Sequence, residues 1–391
     1  MRYRTEQIGY CSNVHPGESL AKILCNLDQG LLAVKRQRGL QRMHCGLWLS
    51  ADAANTLQDP ICRRDFIQTL HDQQLRLTTL NGFPFGQFHL TRVKEKVYLP
   101  DWSQDSRRQY TLALAELLAD CLPADESTGS ISTLPLGYAQ TWSAEKHESA
   151  VRQLTVLSQA LAALEQRSGK LIRVCLEMEP DCVLESSQQC LDFFTLLQAQ
   201  GANMRYLGIC YDVCHQAVMF EDAYQSLQRL HQAGIHIGKI QLSNAIRLPL
   251  HNSQPQQGMR FLQQFAESTY LHQCKAITTG KQIVVWPDLP ALFNTLPTLD
   301  DCEELRVHFH VPLHWHGNED QSLQSTQHSL LRTLDFLSDH PDCRPHLESE
   351  TYTWQVMPSE LRPVDQQGLT DSLCQELGWL ESQMQARGLL E

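Results

Sequence analysis

The 391-residue chain has no concentration of positive charge. Its 32 lysines and arginines are outnumbered by 44 aspartates and glutamates, for a formal net charge of −12. Such a surface suits neither a phosphate backbone nor an anionic bilayer, so no nucleic-acid partner is expected. No window approaches the roughly 20 apolar residues that span a bilayer, so no transmembrane segment is expected. The opening residues Met1-Arg2-Tyr3-Arg4-Thr5-Glu6 run into an acid with no apolar stretch behind them, and are not expected to form an export leader. None of the fourteen cysteines makes a CxxC pair, which removes the common zinc-knuckle and dithiol motifs. Cys45 in MHCGLWL, Cys175 in IRVCLEM and Cys210 in LGICYD sit in apolar runs. Reduced, buried thiols and a cytoplasmic location are therefore the expectation. Low-complexity tracts are also missing, and 42% hydrophobic against 19% charged residues excludes a disordered chain.

What is present is an alternation of short apolar strands with longer segments of helical period, the pattern of an α/β fold with a parallel sheet. Strand candidates are IGYC (8–11), MHCGLWL (43–49), LRLTTL (75–80), SISTL (130–134), LIRVCLEM (171–178), LGICYD (207–212), IHIGKIQL (235–242), RVHFHV (306–311) and HLESET (346–351). Helices are expected over 19–32, 109–122 and 144–166, and near 186–200, 222–233 and 326–338. The reading is a (β/α)8 TIM barrel over residues 1–391, taken as a single domain. It carries an insertion near 248–304 and a closing helix at about 370–387. The insertion holds the polar run HNSQPQQG (251–258), a helix near 258–270 and a hairpin, KAITTGKQIVVW. Nine strand candidates compete for eight places, and one must be peripheral.

Catalytic groups of such barrels stand at the C-terminal ends of different strands, so polar residues closing an apolar strand are the candidates. Strand five ends in Glu177 and Glu179, two residues apart and on one face. Asp212 closes strand six, with His215 a turn later, and Lys239 and Gln241 share a face of strand seven. The segment HFHVPLHWH alternates His308 and His310, with His314 and His316 beyond, and the last strand pairs Glu348 with Glu350. Oxygen-rich ligation with one or two imidazoles suits a divalent metal ion such as Mn, Zn, Co, Mg or Fe. After the first strand, Asn13 and His15 stand before a helix, and Asn81, Phe83, Phe85, Phe88 and His89 in LNGFPFGQFH would crowd the mouth. Such a mixture lines small-molecule pockets, and Glu179, His215, Gln241 and His308 join it as substrate-binding candidates.

Glu at the end of strand five, Asp212-x-x-His215 and Glu on the last strand resemble the xylose-isomerase-like superfamily of sugar isomerases, ketose 3-epimerases and apurinic endonucleases. GYCSNVHPGES, LNGFPFGQFH, VYLPDW, STLPLGY, CYDVCH, HFHVPL and ESETYTW are similar to EboE-type "metabolite traffic" proteins of a secondary-metabolite gene cluster. The resemblance implies a metal held by Glu177, Asp212 and Glu348 or Glu350. In the epimerases the fourth ligand is a histidine on strand seven. Here Gln241 stands there, unless RVHFHV is the true equivalent and His310 takes the place. The implied function is an isomerase or epimerase of a small polyhydroxylated or carbonyl metabolite, with Glu177 and Glu348 exchanging a proton with carbon. The alternatives are a non-catalytic metabolite-binding or traffic protein, with other products of the cluster as partners, and an apurinic-endonuclease-like hydrolase.

Overall fold

A strand wrapped by helices outside and filled by side chains within must be apolar on both faces, and the barrel strands here are buried along nearly their whole length. The computed structural model describes residues 2–89, 93–251, 255–295, 299 and 301–391. Its strands in chain order are β1 Gly9–Tyr10, β2 Met43–Trp48, β3 Leu75–Asn81, β4 Thr128–Thr133, β5 Leu171–Glu177, β6 Leu207–Asp212, β7 Ile237–Leu242, β8 Asn244–Pro249, β9 Cys274–Thr278, β10 Ile283–Trp286, β11 Cys302–Val311, β12 Gln324–Ser325 and β13 His346–Ser349. Eight of them run parallel in the order β1-β13-β7-β6-β5-β4-β3-β2. A bridge from Cys11 to Gly46 brings the two ends of that sheet together, giving a nearly closed (β/α)8 barrel.

The helices sit where their apolar periods place them. Ala144–Ser168 is capped by Ser143, whose hydroxyl accepts from the Lys146 N–H, and it ends at Gly169 in the left-handed conformation (φ 70°). Its buried stripe is Val151, Leu154, Leu157, Leu161 and Leu164. The helix Gln366–Ala386 starts at Asp365 and closes the fold with Leu369, Leu373, Leu377, Leu380 and Met384. Two helices between β2 and β3, Ala51–Thr56 and Pro60–Asp72, are additions to the sequence reading. The second buries only Phe66 and Leu70, too narrow a stripe to stand out.

The ninth strand candidate is resolved here. RVHFHV belongs to β11, which pairs antiparallel with β8 and β9 in a separate five-stranded sheet ordered β10-β9-β11-β8-β12. That sheet starts at Asn244 and returns at Ser325, so the insertion is wider than 248–304. Its hairpin β9–β10 is the KAITTGKQIVVW segment, while the helix expected near 258–270 is the earlier and shorter Pro255–Leu262, and a second short helix spans Leu289–Phe293. Within HNSQPQQG, residues 252–254 lie outside the described residues. The β8–β11 register slips between Val307 and Val311: Val307 faces Ile246 and Val311 faces Asn244. Four steps on one strand thus oppose two on the other, and the bulge falls on His308, Phe309 and His310. A bulge bends the strand and re-aims its side chains, here over the barrel mouth.

Candidate active site at the barrel mouth

Asp212 ends β6 and caps the short helix Val213–Val218, its Oδ1 accepting from the His215 N–H (3.0 Å) and from Ser243 Oγ (2.8 Å). This cap explains the Asp-x-x-His spacing: the turn that satisfies the first helical N–H groups returns His215 over the carboxylate. Ligand atoms of Asp212, Glu177 and Glu350 all lie within 4.8 Å of one another. Glu350 follows β13, and Asn13 Nδ2 (2.7 Å) and Asn81 Nδ2 (3.2 Å) donate to its Oε1. His310 Nδ1 donates to the backbone carbonyl of Glu350 (2.5 Å), so its Nε2 is a bare acceptor 3.8 Å from Asp212 Oδ2. Glu177 Oε2, Asp212 Oδ2 and His310 Nε2 are buried without a hydrogen-bond partner.

Glu177 and Glu350 line the floor of a cleft whose enclosed and open space together come to about 550 Å³. Its wall is largely aromatic, with Phe83, Phe88, Tyr98, Tyr270 and Tyr352, while Glu179, His215 and His308 line one side. Burial, reinforced by the neighbouring carboxylates, pushes the Glu177 and Glu350 carboxyls well above the usual range. Burial also works against Asp212, but the positive charge that the His215 and His310 rings carry when protonated, together with the hydrogen bonds it accepts, outweighs it and holds it below its ordinary value. Burial lowers His215 to about 4 and raises Glu179 to about 8, even though Tyr98 OH donates to Glu179 Oε1 (2.7 Å).

A carboxyl whose folded pKa is raised stabilises the fold while protonated. For Glu179 that contribution is present below 4.5 and is lost as pH rises through about 8. Metal-free protein is therefore expected to melt at lower temperature as pH climbs from about 5 to 8. Glu179→Gln, neutral throughout, is expected to flatten part of that slope. Melting curves in chelator check it, and a slope unchanged in the variant would contradict the assignment.

The structure separates the sequence candidates into two groups. Asn13, Asn81, Glu177, Glu179, His215, His308 and Glu350 line the cleft, with Asp212 and His310 directly behind its floor. Glu348 does not join them. It lies deeper in the barrel, its Oε1 2.5 Å from Lys239 Nζ, both side chains almost wholly buried. Gly46 makes room for it, since a Cβ there would come within 1.8 Å of Glu348 Oε2. Of the pair Glu348 and Glu350, it is Glu350 that lines the cleft. Gln241 sits beside Asp212 in register, and its Oε1 accepts from the Cys210 thiol (3.3 Å). His15 and His89 stand outside the cleft. The turn Ser12–Val14 carries His15 back against Gly30 and the Tyr10 hydroxyl (2.9 Å), while His89 braces Asn13 from behind by donating to its carbonyl (2.6 Å). His314 and His316 do not line it either.

Polar cleft residues absent from the sequence candidates are Tyr98, Tyr270, Tyr352 and Lys94, which pairs with Asp288. Tyr98 lies in VYLPDW and Tyr352 in ESETYTW, so the motifs held a signal for both. Gln273, which donates to the Tyr98 hydroxyl (3.1 Å), lies in the insertion and carried none.

No protein-family model and no curated protein matches the chain. Among solved structures it is similar to a D-psicose 3-epimerase with D-tagatose from Clostridium cellulolyticum H10, with TM-score 0.53 and 11% identity over 98% of this chain and 99% of that one. A D-psicose 3-epimerase in the presence of D-fructose gives TM-score 0.52 and 11% identity over 98% and 99%. A xylose isomerase domain protein from Planctomyces limnophilus gives 0.50 and 13% over 99% of each chain. At these identities the likeness is one of fold, a (β/α)8 barrel.

Proposed function

We propose that this chain is a divalent-metal-dependent isomerase or epimerase that moves a proton at a carbon beside a carbonyl in a small polyhydroxylated metabolite. The supporting observation is the convergence of Glu177, Asp212 and Glu350 on a cleft floor where Glu177 Oε2 and Asp212 Oδ2 have no donor. Three carboxylates held together out of water repel one another, and Lys239, the buried cation of the barrel interior, is committed to Glu348. The donor set fits a hard or borderline divalent ion. Glu177, Asp212 and Glu350 would hold it, with His310 as the fourth group rather than Gln241. His310 donates its Nδ1–H to a backbone carbonyl and leaves Nε2 bare, the arrangement common to metal-binding imidazoles, whereas the Gln241 carbonyl is already engaged. Bound there, the ion would polarise a carbonyl and stabilise the negative charge that develops on its oxygen.

The protein's own groups account for the remaining chemistry. Glu177 on β5 and Glu350 beyond β13 are separated by β6 and β7, so they meet a ligand from different sides. One takes the proton from carbon and the other returns it, each from a carboxyl group buried out of bulk water. Asn13 and Asn81 fix the Glu350 carboxylate, and the aromatic wall keeps water away. The resemblance of its motifs to EboE-type proteins would place the substrate in a secondary-metabolite pathway.

Protein incubated in D2O with ketoses and keto-cyclitols is expected to place deuterium beside the carbonyl. The exchange should stop with chelator and return with Mn2+ or Co2+. A ligand that binds yet never exchanges, with each ion supplied, would overturn catalysis. It would leave a metabolite-binding or traffic barrel, the reading that Gln241 on strand seven and the aromatic wall favour.

A further inference from the structure

The geometry points to a second divalent-metal site in the same cleft, made by Glu179, His215 and His308. It rests on atoms other than those assigned to the carboxylate floor. Gln273 Nε2 donates to the carbonyl of Pro180 (3.2 Å), which can only accept. That contact fixes the amide and turns Gln273 Oε1 toward His308 Nδ1 (2.7 Å). His308 must therefore carry its proton on Nδ1. His215 Nδ1 faces the carbonyl of Met178 (2.9 Å), so it too is protonated at Nδ1. The two Nε2 atoms are left with bare lone pairs, yet they lie 3.0 Å apart, their rings at 81° to one another.

Two lone pairs at that distance repel unless an electron-pair acceptor lies between them. Cis ligands about 2.1 Å from one octahedral ion stand about 3.0 Å apart, and a small opening reaches the tetrahedral value. Glu179 supplies the third donor. Its Oε1 is anchored by the Tyr98 hydroxyl, its Oε2 is buried without a partner, and the three residues offer ligand atoms within 4.8 Å of one another. Each imidazole gives its other N–H to a carbonyl oxygen, the outer contact that orients metal-binding histidines. Two imidazoles and a carboxylate suit Zn, Fe(II), Co or Ni better than Mg or Ca. The barrel alone does not build this set, because His308 arrives on the β11 bulge and Gln273 immediately before β9. His215 and His310 have ring centroids 5.7 Å apart, so ions at the two sites would be neighbours on one substrate.

The test is equilibrium dialysis of chelator-stripped, untagged full-length protein against Co2+, with metal analysis and visible absorption. Wild type is expected to bind two equivalents. His308→Ala and Glu177→Gln are each expected to bind one, and His308→Glu, which keeps a ligand, two. The nitrogen-rich site should give the stronger visible bands, lost in His308→Ala and kept in Glu177→Gln. Melting curves confirm that each variant is folded. If His308→Ala binds as much Co2+ as wild type, with its spectrum unchanged, the second site is overturned while the carboxylate centre stands. If one ion is lost with His308→Ala and kept in Glu177→Gln, this site stands and the carboxylate centre falls. Wild type without bound Co2+ overturns both.

Discussion

Glu177→Gln is expected to lose metal-dependent carbon–deuterium exchange by about 10³-fold, the scale set by removing a positioned acid–base group. The same change is expected to make the metal-free protein more stable. Glu177 is buried beside Glu350, Asp212 and Glu179, and each of them pushes its carboxyl further above the ordinary range. A neutral amide of the same shape removes that repulsion and a desolvated acid in one step. Sites held in an unfavourable arrangement for function are where such a trade between activity and stability is found. At alkaline pH, where the repulsion is greatest, the melting temperature of the stripped variant is expected to rise by about 2 °C or more. Added Mn2+ or Co2+ should raise the wild-type melting temperature above that of the variant, because an ion that binds only the folded state stabilises it by mass action. A variant that melts lower than stripped wild type and still exchanges protons would remove Glu177 from the site.

Lys239→Met is expected to cost about 3–5 kcal/mol, the range for breaking a buried pair by deleting one partner. Lys239 and Glu348 are almost completely buried in the barrel interior, and Lys239 Nζ lies 2.5 Å from Glu348 Oε1 and 3.3 Å from Ser132 Oγ. Desolvation alone would depress the Lys239 pKa, but the Glu348 carboxylate facing it reverses the effect and holds it well above the usual lysine value. Methionine leaves that carboxylate with no counter-charge in the space that Gly46 leaves for it. The double variant Lys239→Met/Glu348→Leu should recover most of the loss, since a buried ion pair exchanged whole for apolar groups of similar volume is often neutral. Denaturant unfolding of the four chains in the cycle gives the coupling directly. A cost below about 1 kcal/mol for Lys239→Met would show that water reaches the pair. Glu348→Gln, meanwhile, should keep the full complement of Co2+, because Glu350 is the carboxylate that reaches the floor.

Glu376 shows how the segment carrying Glu350 is held. It is buried on the closing helix and accepts from the Leu313 N–H (3.0 Å), Ser349 Oγ and Thr351 Oγ1 (both 2.6 Å). One side chain thus ties the exit of β11 to the residues on either side of Glu350. No local pattern in the sequence announces such a contact across 63 residues.

The sequence by itself determined the barrel. Apolar strands alternating with amphipathic helices have few other ways to bury both faces, and LGICYD, followed by the cap turn to His215, occupies the position read for it. It also determined that Glu177, Asp212 and a glutamate of the last strand face inward, because a strand's side chains alternate with period two. Parity gives the face but not the depth. Glu348 and Glu350 share a face, and only the register of β13 against β7, which sets Glu348 opposite Gln241, leaves Glu350 at the mouth and buries Glu348 against Lys239. Strand direction is likewise silent in the residues. RVHFHV reads as a ninth barrel strand, and hydrogen bonding to β8 and β9, 31 to 67 residues away, makes it antiparallel and places its bulge. The pairing of His308 and His310 with the barrel's own acids was therefore decided by tertiary structure, since contacts that distant leave no trace in local periodicity.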